Sequence, residues 1–344
     1  MTGDSEILLI VPSLDFKKWK GLGRYSFYLY NTLIKKFDVD VIEVQEPKKN
    51  YFRAILKSIK AGSFSKYRVV QSVSPELLFF RNLNRYKSKK IITIHDFIPF
   101  FEDTLSTSFK SLLLMLYKLN IRDCDLVISN STLTSKTLFN LLGRNSYVIH
   151  PPVDLDLFKF KKKKIGNKIV LSFISNFSFR KRADIAIRVC SLLQENVDCK
   201  LVLAGGRLKN SYQRHFDVEK LIKQNRVRDF EIHEEIDDKL LIRIYQKSHF
   251  FIFPSTIEGF GIPVIEASAC GTPTLLLKSS IMPKEVKKAG IECIDEFDMV
   301  KKILKLIDNK EEYYSFQQYC RSYSERFSLE IFKEKYIKIY ETLL

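Results

Sequence analysis

The chain has 344 residues, a formal net charge of +17 and an apolar fraction of 45%, with 27 Phe and 16 Tyr. That length is more than one hydrophobic core of ~250–300 residues accommodates, so two globular domains are expected, and the basic balance calls for something anionic: phosphate, anionic lipid or nucleic acid. Six scattered cysteines, with no Cys-x-x-Cys and no adjacent His cluster, argue against a metal site and a disulfide framework and read as reduced core thiols.

In the first half, Ile7–Val11, Val39–Val44, Val69–Val73, Ile91–Ile94 and Leu126–Ser129 read as short buried strands. Between them, Gly23–Lys36, Phe52–Lys60 and Thr107–Asn120 have helical periodicity, the rhythm of a doubly wound parallel sheet. Gly21-Leu22-Gly23-Arg24-Tyr25 follows the first strand and opens a helix, where glycines let backbone approach a phosphate and the helix dipole helps. His95-Asp96 comes directly after the strand 91–94, at the strand end where open parallel sheets bind ligands; Asp96 also suits a turn cap. The segment from Phe52 to Lys90 is rich in Lys and Arg, with Glu76 its one acid, and interleaves aromatics, as a surface for anionic lipid would. Leu112 to Leu116 is too short to span a bilayer and is flanked by Lys110 and Lys118. With no charged leader, h-region or cleavage site at its start, the chain reads as an intracellular protein.

Pro151-Pro152 and the run Lys159-Phe160-Lys161-Lys162-Lys163-Lys164-Ile165-Gly166 read as an exposed linker, here bounded as 156–164. The first domain then covers 1–155 and the second 165–326. Beyond the linker, Ile169–Ile174, Cys199–Leu203, Phe230–His233, His249–Phe253 and Thr274–Leu277 read as strands. Arg182–Leu193, Val218–Lys223, Lys239–Gln246 and Pro263–Ala269 are the intervening helices, with Asp237-Asp238 a helix N-cap. From Phe327 to Leu344, the apolar positions Ile331, Phe332, Tyr336, Ile339, Tyr340 and Leu343 make an amphipathic helix. Asp38-Val39-Asp40 and Asp154-Leu155-Asp156 each spell Asp-x-Asp, a pattern that can hold a metal–diphosphate, but one sits at the wrong end of its strand and the other in the linker.

The most informative stretch is Pro254-Ser255-Thr256-Ile257-Glu258-Gly259-Phe260-Gly261-Ile262-Pro263-Val264-Ile265-Glu266. It runs from strand to Gly-x-Gly turn to helix N-terminus, with Pro263 in the first turn, where a missing N–H costs nothing. Such a terminus presents free amides and a positive dipole end to an anion. Glu258 in the turn and Glu266, expected about two helical turns in, cannot be there for phosphate; carboxylates suit neutral hydroxyls, as on a sugar and a ribose. The pattern reads as a sugar-nucleotide site.

This segment resembles the signature of the retaining glycosyltransferases of family 4, mannosyltransferase-like members included. Ala267-Ser268-Ala269-Cys270-Gly271-Thr272-Pro273, Pro283-Lys284-Glu285-Val286, the strand 201–204 ending in Gly205-Gly206, and Ile149-His150-Pro151-Pro152-Val153-Asp154 are similar to that family's elements at the same places. The resemblance implies the α/β GT-B fold: two Rossmann-like doubly wound parallel-sheet domains facing a cleft, with the terminal helix 327–344 crossing back to the first domain. The first domain would bind acceptor and the second the nucleotide sugar.

It also implies roles. Glu258 would hydrogen-bond donor-sugar hydroxyls, and Glu266 the ribose. Backbone amides of Phe260, Gly261 and Ile262 would face the phosphates, with Gly21, Gly23 and Gly205 also lining the donor site. Arg180 and Lys181, in Phe177-Ser178-Phe179-Arg180-Lys181, would reach the diphosphate and stabilise the leaving group's growing charge. Many members have a further Arg near Ser175; this chain does not, which shifts load to Arg180. His95 would contact the transferred sugar. The implied activity is a retaining, metal-independent hexosyltransferase with no cofactor, moving a hexose from GDP-mannose or a UDP-sugar to a hydroxyl of a glycan or lipid-linked acceptor. A diphosphate oxygen would take the acceptor's proton. The protein would be cytoplasmic, or peripheral on the cytoplasmic face of a membrane through the basic segment 52–90, with no nucleic acid as partner. The alternatives are a GT-B sugar-nucleotide epimerase and a catalytically idle GT-B binding subunit.

Overall fold

The computed structural model describes residues 6–15, 20–44, 64–75, 87–101, 107–205, 215–234 and 236–344. The chain forms two compact units, Met1–Pro152 with Leu329–Leu344, and Val153–Ser328.

In the first unit, the described residues form a parallel sheet of β1 (Ile7–Val11), β2 (Val39–Glu43), β3 (Val69–Ser72), β4 (Lys89–Ile94), β5 (Leu126–Ser129) and β6 (Tyr147–Val148), in the order β2-β1-β3-β4-β5-β6. Strands β1 and β3 are buried along their length, as strands covered on both faces must be, and β1 reads as an unbroken apolar run rather than an alternating one. Among the described residues before the unit boundary, the helices are α1 (Lys20–Leu33), α2 (Ile98–Phe101), α3 (Thr107–Arg122) and α4 (Thr132–Leu142). Ser131 caps α4 by accepting from Thr134 N, and Gly143 ends it in a left-handed conformation at φ 64°. The chain's last helix, Leu329–Leu343, belongs to this unit and buries Phe332, Tyr336 and Tyr340 in its core.

The second unit's sheet contains β7 (Lys168–Ile174), β8 (Asp198–Ala204), β9 (Phe230–His233), β10 (Phe250–Phe253), β11 (Thr274–Leu277) and β12 (Ile291–Cys293). All pairings are parallel and the order is β12-β11-β10-β7-β8-β9. Counted from its own first strand, this is the 3-2-1-4-5-6 Rossmann order, with the chain's direction of travel reversing between β7 and β10. The helices are α5 (Ala183–Leu193), α6 (Val218–Gln224), α7 (Asp238–Lys247), α8 (Ile262–Ala269), α9 (Lys284–Lys287), α10 (Glu296–Asp308) and α11 (Lys310–Ser324); the helix that closes the chain, Leu329–Leu343, is α12. Asp237 caps α7 through Leu240 N at 2.8 Å.

Three expectations need correction. The segment 156–164 is exposed at most of its positions, as expected, but it is not a linker: it belongs to the second unit. Phe158 and Lys163 are buried, and Lys163 exchanges two backbone hydrogen bonds with the Gln317 side chain, at 2.8 and 2.9 Å. Its ammonium donates to Cys270 O at 2.7 Å, and Arg321 donates to Phe158 O. These bonds make the lysine run part of the second unit, and the boundary falls at Pro152–Val153 and Ser328–Leu329. Second, α1 begins at Lys20, three residues before the expected start at Gly23, so Gly21 as well as Gly23 lies in its first turn; neither has a positive φ. Third, α8 begins at Ile262, which leaves Glu266 little more than one turn in.

The expected helix Phe52–Lys60 and most of the basic segment 52–90 lie outside the described residues. Of its cations that are described, Lys66, Arg68 and Lys89 pair with Asp40, Glu6 and Asp125. Asp40 also accepts from Tyr67 at 2.6 Å, and Asp154 closes a turn by accepting from Asp156 N and Leu157 N. Among the described residues, no group of three His, Cys, Asp or Glu is arranged to hold a metal, and no helix is long and apolar enough to cross a membrane. All six cysteines are buried thiols.

Candidate active site

In the second unit the candidate residues gather at the carboxyl ends of two adjacent strands, β7 and β10, where the strand order reverses. The β7 end leads through Asn176 and Ser178 into a single 3-10 turn, Phe179–Lys181, and Arg182 then takes a left-handed conformation at φ 56° to start α5. That tight turn brings Arg180 and Lys181 back over β10. The β10 end leads to Glu258, whose amide donates to Ile281 O at 2.9 Å.

The two strand ends are joined by charge. Lys181 Nζ lies 2.5 Å from Glu258 Oε1, and Arg180 Nη1 lies 3.3 Å from the same oxygen. Arg180 also donates to Ile257 O at 2.7 Å, and its carbonyl accepts from Thr256 N at 2.9 Å. The Lys181 ammonium sits 5.4 Å from the Phe253 ring centroid. Lys181 and Glu258 are 9% and 8% exposed and Arg180 is partly buried, so this is a largely buried trio carrying one net positive charge. Burial alone pushes the Glu258 carboxyl upward, but attraction to Lys181 and Arg180, with hydrogen bonds from Lys181 and Ser255, outweighs it and holds the carboxyl below its ordinary range.

Beside the trio stands the N-terminus of α8. Gly261 is its N-cap at φ 105°, a conformation that disfavours a side chain, and a Cβ there would come within 3.2 Å of Val286. The first amides of any helix have no partner within it. Phe260 turns its ring into the core against Phe327, at 5.5 Å between centroids. Glu266 is 5% exposed on α8 and accepts from the Tyr245 hydroxyl at 3.2 Å. Gly205, at the end of β8 with φ 125°, is pressed against β7's end: a Cβ would lie 2.0 Å from Ser175 O. Thus Arg180, Lys181, Glu258, Phe260, Gly261, Ile262, Glu266 and Gly205 all belong to this unit, and the first three are in direct contact. Tyr245 was not anticipated; a tyrosine inside an amphipathic helix gives no signal until the helix is placed against α8.

The first unit holds Gly21, Gly23 and His95. His95 follows β4 directly, and its backbone carbonyl accepts from Thr134 Oγ1 at 3.4 Å. Its ring meets Tyr25 edge-on, centroids 4.6 Å apart and planes at 89°. His95 Nε2 is shielded from solvent and has no hydrogen-bond partner among the described residues. Burial pulls the imidazole pKa down to about 4, against the opposing effect of a hydrogen bond to the Val73 backbone. The ring is therefore neutral near pH 7, and with its other nitrogen engaged by Val73 it offers Nε2 as an acceptor. Asp96 caps the next turn, accepting from Ile98 N at 3.0 Å. Gly21 has open space where a Cβ would stand, so no close approach explains it.

Two Rossmann-type units, one with a buried cation–carboxylate cluster beside a helix N-terminus at its strand crossover, define the α/β GT-B class of glycosyltransferase. The family model described as Glycosyl transferases group 1 matches residues 155–323, nearly the whole of the second unit, and the chain is a hexosyltransferase with a domain similar to that family. The O-antigen chain mannosyltransferase RfbU of Salmonella typhimurium is 24% identical over 297 residues, covering 76% of this chain and 79% of the relative. Among solved structures, sucrose-phosphate synthase from Thermosynechococcus elongatus superposes with a TM-score of 0.79 at 15% identity, covering 98% of this chain and 99% of that one. HepE of Anabaena, in complex with UDP and glucose, superposes with a TM-score of 0.72 at 16% identity, covering 98% and 100%.

Proposed function

We propose that the protein transfers a hexose from a nucleoside-diphosphate sugar, GDP-mannose or a UDP-sugar, to a hydroxyl of a glycan or lipid-linked acceptor, with retention of configuration and without metal. The observation that carries this is the Lys181–Glu258–Arg180 cluster beside the N-terminus of α8. Two cations and a row of amides suit a diphosphate, and they stabilise the charge that grows on it as the glycosidic bond breaks. Glu258 is the acceptor for sugar hydroxyls, Glu266 for the ribose. His95 Nε2, neutral and without a partner among the described residues, takes a further hydroxyl. In this chemistry the acceptor oxygen forms its bond to the anomeric carbon as the bond to the diphosphate breaks, and a diphosphate oxygen accepts the proton; no protein carboxylate is needed as base. The relative named as a mannosyltransferase favours a GDP-linked donor, and the neighbour solved with UDP favours the other base.

Thermal unfolding in the presence of GDP-mannose, UDP-glucose and other nucleotide sugars, followed by hydrolysis and transfer assays, tests the reading. One donor should raise the apparent Tm, because a ligand that binds only the folded state stabilises it by RT ln(1 + [L]/Kd). No stabilisation and no turnover with any nucleotide sugar would leave an idle binding subunit.

We further propose a peripheral position on an anionic membrane. Support comes from α3, which exposes Leu112 and Met115 with half-buried Leu116 and Leu119 beside them. Lys110 and Lys118 flank that stripe, and the helix, Thr107–Arg122, contains no acid. An apolar stripe bordered by cations is the makeup of an interfacial helix. Pelleting with phosphatidylglycerol vesicles should drop for Leu112→Ser with Met115→Ser, and unchanged pelleting would rule α3 out.

A further inference from the structure

We infer that Tyr25 and Tyr336 are positioning residues for His95: a buried chain of hydroxyls reaching in from the last helix fixes the ring against which the imidazole stands. The inference rests on the reading of His95 as a group that meets the substrate.

Tyr336 and Tyr340 lie four residues apart on α12, so both project from one face. The Tyr336 hydroxyl hydrogen-bonds to the Tyr25 hydroxyl, joining positions 311 apart in the chain. Thr93 hydrogen-bonds to both phenols, and Gln71 Nε2 donates to Thr93 Oγ1 at 2.9 Å. The Tyr340 hydroxyl donates to Gln71 Oε1. None of these five side chains is more than 2% exposed. Burial raises all three tyrosines, Tyr336 to about 12, so each keeps its proton through the working pH range and remains a donor.

Phenylalanine would fill the same space without a polar atom to satisfy. Hydrogen-bonding every buried hydroxyl instead makes the network tolerate one arrangement only. That arrangement holds the ring against which His95 stands. Thr93 lies two residues before it on β4, and Tyr25 stands edge-on to its ring. Phe332 of α12 backs Tyr25 at 5.5 Å and 84°. Because Nε2 has no hydrogen bond of its own among the described residues, the imidazole plane depends on the Val73 bond and on Tyr25. The hydroxyl chain therefore makes α12 part of the half-site. Sequence reading placed this helix on the first domain but gave its tyrosines no task.

The test uses Tyr336→Phe and Tyr25→Phe in the full chain, alone and combined with His95→Ala. Each single variant should lower kcat about tenfold, the worth of roughly one hydrogen bond, while donor KM and nucleoside-diphosphate Kd change less than about twofold. In the His95→Ala background the same substitution should change kcat less than about twofold, since its route of action is gone. Imidazole 15N resonances of His95 should shift in Tyr336→Phe with the remaining histidines unmoved. A full tenfold loss persisting without His95, or an unshifted His95 resonance, would overturn the proposal. Tyr25→Phe removes the other end of the same bond, so the test survives if one variant does not fold. The resonance readout needs no turnover, so it separates failure here from failure of the transferase reading, which would appear as absent nucleotide-sugar binding in the unaltered protein.

Discussion

Replacing Glu258 by Gln keeps the shape of the buried trio and removes its only negative charge. Two effects follow from the geometry. Lys181 and Arg180, 2.5 and 3.3 Å from the carboxylate, lose their counterion while remaining buried. Removing one partner of a buried pair typically costs about 3–5 kcal/mol. Gln still accepts one hydrogen bond, and Arg180 keeps Ile257 O, so a loss of about 2–3 kcal/mol in unfolding free energy is expected. The cluster facing a diphosphate meanwhile changes from one net positive charge to two, so affinity for free UDP or GDP should hold or tighten by up to about tenfold, roughly 1.4 kcal/mol. Transfer should fall about a hundredfold, because a charged hydrogen bond to the sugar is lost where it counts in the transition state. Titration calorimetry with UDP and GDP, beside initial rates with the preferred donor, separates the two effects. A parallel loss of nucleotide affinity and rate would refute the assignment of Glu258 to the sugar and of the cations to the diphosphate.

Other outcomes follow from single sites. His95, lowered to about 4 from an unfolded value near 6.5, binds fewer protons folded than unfolded between those limits, so its contribution to stability is present above pH 6.5 and is lost as pH falls toward 4. The acid limb of kcat/KM traceable to His95 should accordingly lie near pH 4, and a limb near 6.5 that vanishes in His95→Ala would contradict this. Lys163, lowered by burial to about 7 from its ordinary 10.5, should make unfolding free energy rise with pH between those values, by about 1.4 kcal/mol per unit at most. Lys163→Met should flatten that slope in urea titrations at pH 7 and 9. Gly205→Ala should cost at least about 3 kcal/mol, since the methyl group would overlap the Ser175 carbonyl 2.0 Å away and φ 125° disfavours any side chain; an unchanged denaturation midpoint would show that the strand ends separate freely.

Much of this molecule was legible because its signals are local. Ile7–Val11, Leu126–Ser129, Phe230–His233 and Thr274–Leu277 are strands at the bounds read from their apolar runs, since a short β-branched or aromatic run between turn residues has few other uses. The turn from Glu258 to α8 was equally plain, its glycines and Pro263 each having one comfortable place. Strand order was not legible, because pairing depends on which apolar faces meet across the whole unit. Nor were β6 and β12, two and three residues long, too short to show a period. The lysine run near 160 misled because Lys side chains favour water in general, whereas Lys163 finds the carbonyl of Cys270 and the amide of Gln317 far along the chain. The same distance in sequence hid the contact of Lys181 with Glu258 and of Tyr25 with Tyr336: each residue looked ordinary until the fold supplied its partner.

A crystal structure of the protein with UDP or GDP bound tests the central claim most directly. The diphosphate should lie about 3 Å from Lys181 Nζ, the Arg180 guanidinium and the first amides of α8, with the ribose against Glu266. A nucleotide found elsewhere, with the Lys181–Glu258 pair intact and α8's first turn untouched, would contradict it.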